Sequence, residues 1–474
     1  MAFTQATPLL AQPASVAALA EADRQLSDLI AQAEKSVVAI TRQPTRFRNQ
    51  PAPGVGARVF NEFRDPLAGA QTPLPAGAGV IIDPAGLVVT QYLVIGPGER
   101  HTVTTTEGRS FPAEVVAADP RSGLATLAVK QEGLPALPIG RAETLRKGSS
   151  VVCIGNPQAI VTDGQPTASY GRVTNLARKA GPMVNLNNTQ DDTRGDFRTT
   201  LHHFGALIQT DAKLGWNAHG GAVINLDGEL VGLATPVSVI AGHEQPAGYA
   251  IPFNEAFRRI LETLKQGKEV EYGLLGVTFN ARPAGARASG PPGIVVQHAY
   301  AAGPAGRAGL QGQDLITRID GKPVPDADRL QLVVGSQPPG AKLEVEFLRG
   351  GERQRAQVVL GKFYAAGNKI VTTPAPRWRG LAVDYATAIP SETLATASRQ
   401  GLIDPEGCVV VSDVQPESVS WKQGVRPGVF LSHVGGSRVS TPEEFWAAIK
   451  RLDADDLGKS VSLRFTQSLT PPDN

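Results

Sequence analysis

Residues 215–235 read Gly-Trp-Asn-Ala-His-Gly-Gly-Ala-Val-Ile-Asn-Leu-Asp-Gly-Glu-Leu-Val-Gly-Leu-Ala-Thr. The second half is a hairpin pattern. Ala222-Val223-Ile224 and Leu230-Val231-Gly232-Leu233 are apolar runs, and Asp227-Gly228 between them supplies the positive φ of a tight turn. Gly220-Gly221, just ahead of the first run, lets backbone approach backbone or ligand closely. His219 stands at the tip of that approach, after Asn217 and Ala218. Short strands with turn signals continue on both sides over residues 77–265, which predicts a mainly β domain.

Five further blocks stand in a fixed order around this loop. Residues 77–95 read Gly-Ala-Gly-Val-Ile-Ile-Asp-Pro-Ala-Gly-Leu-Val-Val-Thr-Gln-Tyr-Leu-Val-Ile, and residues 119–128 read Asp-Pro-Arg-Ser-Gly-Leu-Ala-Thr-Leu-Ala. Val151 to Pro157 is a strand and turn. Ile208-Gln209-Thr210-Asp211-Ala212 leads into the loop, and Gly248-Tyr249-Ala250-Ile251-Pro252 closes the set. Together these blocks resemble the HtrA/Deg family, trypsin-like serine proteases that carry PDZ domains. The resemblance implies a trypsin-like double β-barrel with a His-Asp-Ser triad taken in that chain order. Here the histidine position holds Leu93, the aspartate position Gly123 and the serine position His219. Asn217 replaces the first glycine of the oxyanion loop and Ala218 its asparagine.

A nucleophile needs an ionisable oxygen or sulfur and a base to take its proton. Leu93 accepts no proton, Gly123 has no side chain to orient an imidazole, and His219 stands where the hydroxyl belongs. The scaffold is therefore expected intact and the chemistry lost. His202, His203 and His219 are expected to be surface histidines rather than metal ligands, since neighbours on a strand face opposite ways and no carboxylate or cysteine sits at ligand spacing. No metal and no cofactor are expected.

Downstream, Leu274-Leu275-Gly276-Val277 matches the carboxylate-binding loop of a PDZ domain, and Gly303 to Leu310 and Asp314 to Val324 match its later segments. Gln313 departs from the usual glycine. Such a loop captures a peptide's C-terminal carboxylate on backbone N–H groups while the peptide adds a strand; the alternative is a PDZ fold used only for packing. A second, less faithful copy begins at Trp378-Arg379-Gly380-Leu381, with Val429 in place of the usual aspartate. Arg379 either favours a carboxylate or is simply solvated. The expected domains are an N-terminal helical segment (1–36), the trypsin-like domain (37–270), a first PDZ domain (271–362), a linker (363–376), a second PDZ domain (377–468) and a tail (469–474).

The chain has 474 residues, Lys plus Arg 46 against Asp plus Glu 44, and a net charge of +2, which argues against a nucleic-acid partner or a membrane surface. Cys153 and Cys408 are far apart and make no disulfide or metal pattern. A helix is expected from Glu21 to Ser36 and a long surface or assembly loop over 42–76. Residues 1–20 end in Ala-Leu-Ala but have no basic residue before Arg24, so no clear signal peptide is read, and no apolar run is long enough to span a membrane. The resemblance implies an extracytoplasmic, periplasmic location, a trimer built by the barrel domains, and unfolded or C-terminal polypeptide segments as partners. The reading is a pseudoprotease acting as scaffold, regulator or holdase. The alternatives are an active endopeptidase in protein quality control and a PDZ adaptor with a purely structural barrel.

Overall fold

The computed structural model describes residues 13–44, 75–96, 99–179, 200–213, 218–235, 248–279, 291–455 and 462–468. The chain divides into two compact units, residues 1–118, 123–195 and 207–261 in one, and 119–122, 196–206 and 262–474 in the other.

The first unit holds two closed six-stranded barrels. A helix, Pro13–Ala33, and a one-turn 3-10 helix, Glu34–Ser36, lead in. The helix begins earlier than the apolar spacing alone suggests, with Pro13 at its N-terminal end. The first barrel is β1 (Val37–Pro44), β2 (Pro75–Asp83), β3 (Leu87–Gln91), β4 (Glu99–Thr104), β5 (Ser110–Asp119) and β6 (Leu124–Val129), closed by pairing of β5 with β6. The second is β7 (Ser150–Gly155), β8 (Thr167–Arg178), β9 (Leu207–Thr210), β10 (Ala222–Ile224), β11 (Leu230–Thr235) and β12 (Gly248–Pro252). The hairpin expected at residues 222–233 forms β10 and β11, with Ala222 opposite Leu233. Every residue of β10, β11 and β12 is buried. Val151, Cys153, Val173, Ile208, Val223 and Val231 share one core. Cys153 and Cys408 are both buried free thiols, and burial pushes the Cys153 thiol up to about 12, so it is an inert hydrophobe.

In the second unit, β13 (Gly273–Leu274) pairs with β20 (Gly361–Lys362). Strands β14 (Val277–Phe279), β15 (Ile294–Ala299), β16 (Leu315–Ile319), β18 (Lys342–Arg349) and β19 (Glu352–Val359) form a sheet, with β17 (Lys322–Pro323) hairpinned onto β16. This sheet and the helix Ala327–Gly335 enclose a core that includes Leu275, Val296, Ile316, Leu330 and Val345. After the short strand β21 (Ile370–Val371), a second sheet follows. It contains β22 (Leu381–Tyr385), β23 (Val409–Val414), β24 (Val429–Val434) and β25 (Ser437–Arg438), and β26 (Leu463–Ser468) joins it at β24. The helix Pro442–Asp455 brings Phe445, Ala448 and Ile449 into its core with Leu381, Val409 and Leu431. Gln313, at the position where glycine is usual, does take the glycine-like conformation, φ +74. Beside it the carboxylate of Asp314 is held by Arg349 in two bonds of 2.7 Å and caps the Gln311 amide. The mainly β architecture of a double barrel followed by two smaller β-domains thus agrees with the sequence. The loop expected over 42–76 lies almost entirely outside the described residues.

Candidate functional site

The barrel site is assembled from three chain segments within the first unit. Strand β3 runs into a one-turn helix, Tyr92–Ile95, which carries Leu93. Two buried polar side chains fix the end of that strand: the Thr90 hydroxyl donates to the Ala78 carbonyl at 2.7 Å, and Gln91 Nε2 donates to the Ala234 carbonyl at 2.5 Å. The latter ties one barrel to the other. The Tyr92 amide then donates to the Gly123 carbonyl at 2.8 Å, which places Gly123 beside the residue preceding Leu93. The third segment is the turn Ala218–Gly221, closed by the Gly221 amide on the Ala218 carbonyl at 2.9 Å. The His219 carbonyl accepts the Ala78 amide at 2.7 Å. A Cβ on Gly77 would stand 2.5 Å from the Val94 side chain and 3.0 Å from the His219 carbonyl, so both segments lie against that glycine. Leu93, Gly123 and His219 therefore gather in one neighbourhood, where the sequence expects a triad.

None of the three positions carries a hydroxyl or thiol. Leu93 is 54% exposed and apolar. Gly123 adopts φ +72, a left-handed conformation that side chains resist, so the backbone itself is fitted to the missing side chain. The ring of His219 is mostly buried, and its Nδ1 has no hydrogen-bond partner among the described residues. Burial pushes its pKa down to about 4, so the imidazole is neutral near pH 7. Among the described residues no carboxylate or hydroxyl is hydrogen-bonded to that Nδ1. Asn217, the oxyanion-loop position, lies outside the described residues.

The expectation of surface histidines is corrected. His202 and His203 lie on a buried 3-10 turn, Leu201–Phe204, at 3% and 4% exposure. Burial, with His203 alongside, pushes His202 down to about 4. His219 is half-buried rather than solvated. No group of residues with metal-binding geometry occurs among the described residues.

In the second unit the two carboxylate-type loops share one hydrogen-bond frame. The Leu275 carbonyl accepts the Ala305 amide at 2.9 Å and the Gly276 carbonyl the Tyr300 amide at 3.3 Å. In the later loop the Arg379 carbonyl accepts the Ser420 amide at 3.3 Å and the Gly380 carbonyl the Gln415 amide at 2.9 Å. Gly276 and Gly380 have φ +78 and +87, the conformation that turns loop amides outward. The surroundings differ. Leu275 and Gly276 are buried and Val277 half-buried. Arg379 is exposed, with its guanidinium 4.6 Å from the Trp378 ring centroid, while Leu381 is buried and its amide is already bonded to the Trp378 carbonyl at 2.8 Å.

A trypsin-like peptidase domain profile matches residues 77–233 and a PDZ domain profile matches residues 273–360. The probable periplasmic serine endoprotease DegP-like of Halomonas elongata is 28% identical over 97% of this chain and 94% of its own length. The chain belongs to the HtrA/Deg family. Periplasmic serine endoprotease DegP of Salmonella typhimurium is 32% identical over 58% of this chain and 54% of its own length. A solved HtrA-type protease, AlgW with a decapeptide, is 25% identical, covers 71% of this chain and 98% of its own, and has a TM-score of 0.49. Within this HtrA/Deg chain, the sequence motifs do not anticipate Thr387, Leu394, Ser398 and Ile403, which line a cavity with Gly276. They come from a stretch with no PDZ motif. The local signal there is the helical spacing of Leu394, Ala397 and Ser398.

Proposed function

We propose that this HtrA/Deg chain is a pseudoprotease: a polypeptide-binding scaffold, regulator or holdase that does not hydrolyse peptide bonds. One observation carries the reading. Leu93, Gly123 and His219 meet in one neighbourhood, and none of the three positions offers a hydroxyl with a base beside it among the described residues. Without base and nucleophile, at most a residual of about 10³–10⁴ over water remains from binding and an oxyanion hole. Polypeptide capture falls to the PDZ loops, Leu274-Leu275-Gly276-Val277 and Arg379-Gly380-Leu381. Their glycines turn the amides toward a carboxylate, and charge-assisted bonds to it are each worth about 1.5–3 kcal/mol. Periplasmic location and a homo-oligomer, a trimer by resemblance, belong to the same proposal, supported by relatives named as periplasmic proteins. No helix among the described residues is long and apolar enough to cross a membrane.

The test is labelling of the purified chain with a fluorophosphonate, alongside cleavage of unfolded casein. No adduct and no cleavage are expected. Specific labelling that survives denaturing electrophoresis sinks the proposal. One observation favours a second reading, that of an active endopeptidase: the relatives in Halomonas and Salmonella are named serine endoproteases. That reading requires a nucleophile elsewhere in the barrel, and the same labelling would locate it.

A further inference from the structure

The first PDZ loop has a cover built from its own unit. Leu274 and Gly276 line a small cavity with Tyr300, Ala302, Gly303 and Pro304, and the rest of the wall comes from the second PDZ domain. Leu394 and Ser398 reach it from the helix Ser391–Arg399, and Thr387 and Ile403 flank them. Leu274 packs against the minor core that Leu394, Ala397, Ile403 and Phe430 form in that second domain. Two polar fastenings hold the cover. The Thr387 hydroxyl donates to the Lys362 carbonyl at 2.9 Å. The Lys362 ammonium, 5% exposed, joins Asp384 of the second domain at 2.7 Å to Glu271 of the first at 2.9 Å and to Glu269, just ahead of it, at 3.3 Å. The fit is close: a Cβ on Gly361 would stand 2.5 Å from the Thr387 hydroxyl. The space left beside Gly276 is about 250 Å³ including its open mouth.

We infer that the second PDZ domain caps the carboxylate loop of the first in cis, so that the first domain takes a free peptide C-terminus only when the helix Ser391–Arg399 lifts away. The inference rests on the peptide-capture reading of that loop. A terminal carboxylate must come within about 3 Å of the loop amides, and the buried Gly276 is walled on this side by the cap. The apparent affinity of the first loop is then its intrinsic affinity scaled by the fraction of molecules with the cap open.

The experiment uses the full chain, wild type and Ser398→Trp. Ser398 lines the cavity but is not part of the second domain's core, so the larger ring wedges the helix away. Hydrogen exchange reads the Leu275 and Gly276 amides. Fluorescence anisotropy reads a peptide with an apolar, free-acid C-terminus against its C-terminally amidated form. The variant is expected to exchange those amides, and to bind the free-acid peptide, about tenfold more readily, with amidation removing the gain. Should Ser398→Trp fail to fold, Thr387→Val, which removes one fastening at constant volume, takes the same two readouts with a smaller shift. Unchanged exchange at Leu275 and Gly276 overturns the cap, whatever the peptide does. Faster exchange with no peptide bound by either form leaves the cap standing and overturns peptide capture at that loop.

Discussion

The barrel site and the first PDZ loop each preserve a family frame, and they differ in what that frame presents. In the barrel the positions converge through backbone bonds, Tyr92 to Gly123 and Ala78 to His219, but the side chains they present are inert. In the PDZ loop the frame keeps Gly276 with its positive φ, the Ala305 and Tyr300 amides fixing the loop carbonyls, two leucines before the glycine and Val277 after it. What differs there is the neighbour, since Leu394 and Ser398 wall the cavity beside Gly276. A frame made of backbone hydrogen bonds survives changes of side chain and changes of neighbour alike, so its presence certifies geometry and says nothing about reactivity or access.

The largest expected effect is the one that restores a single group to the barrel. His219→Ser supplies a hydroxyl without a base, since Leu93 takes no proton, and triad effects are strongly non-additive. Its kcat/KM on an unfolded peptide substrate should stay more than about 10⁴-fold below that of a triad-bearing family member. Clear turnover from this single variant would mean that another residue serves as base, and that the missing hydroxyl alone had silenced the barrel.

Next comes the Lys362 cluster, where the PDZ side of the comparison is fastened. Burial alone would lower the Lys362 pKa, but Asp384, Glu271 and Glu269 hold it above the ordinary lysine value. A raised lysine contributes stability below its unfolded pKa and loses it only as pH climbs past about 10.5. Lys362→Met leaves Glu271 and Asp384 without their cation, while Glu269 keeps Lys369 at 2.7 Å, and should cost about 3–5 kcal/mol in urea unfolding at neutral pH. A cost under about 1 kcal/mol, the range of exposed ion pairs, would show the cluster to be solvent-relaxed and the cover weakly held.

A third effect sharpens the barrel side. The folded pKa of His219, near 4, lies below the ordinary value of about 6.5. The fold thus favours the neutral ring, and the stability this represents is full above about pH 6.5 and drains away between 6.5 and 4. His202 contributes a parallel loss over the same window. His219→Asn should therefore remove part of the fall in stability between about pH 7 and 4.5, about 1–2 kcal/mol. Thermal unfolding at the two pH values checks it, and an identical fall in both proteins would place His219 in water.

The smallest effect concerns Gly123. Gly123→Asp puts a side chain on backbone at φ +72 and should cost about 1 kcal/mol, with Gly123→Ala similar or worse. A stabilising aspartate would mean that the loop readily recovers a triad-like conformation.

Much of this is legible in the sequence because it rests on local physics. Asp227-Gly228 dictates a turn, and the apolar runs around it become β10 and β11. The five ordered blocks carry the barrels, and Gly276 and Gly380 carry the loop frames. The misses share a cause. The polar stretch around His202 and His203 predicts solvated side chains, yet three-dimensional packing buries both. Likewise Thr387, Leu394, Ser398 and Ile403 reach Gly276 across more than a hundred residues, and no local pattern encodes a contact at that separation. Lys362, too, looks in sequence like any surface lysine, and its three carboxylates at 269, 271 and 384 meet it only after folding.

The left-handed turn at Gly123 bears on the history of this barrel. Three substitutions separate the site from a complete triad, and they are not interchangeable steps. A histidine at 93 or a serine at 219 meets a backbone that tolerates either. An aspartate at 123 must first bend its segment out of a conformation into which glycine has let it settle. Of the three positions, 123 is thus the one where the incoming side chain costs backbone strain before it contributes any chemistry.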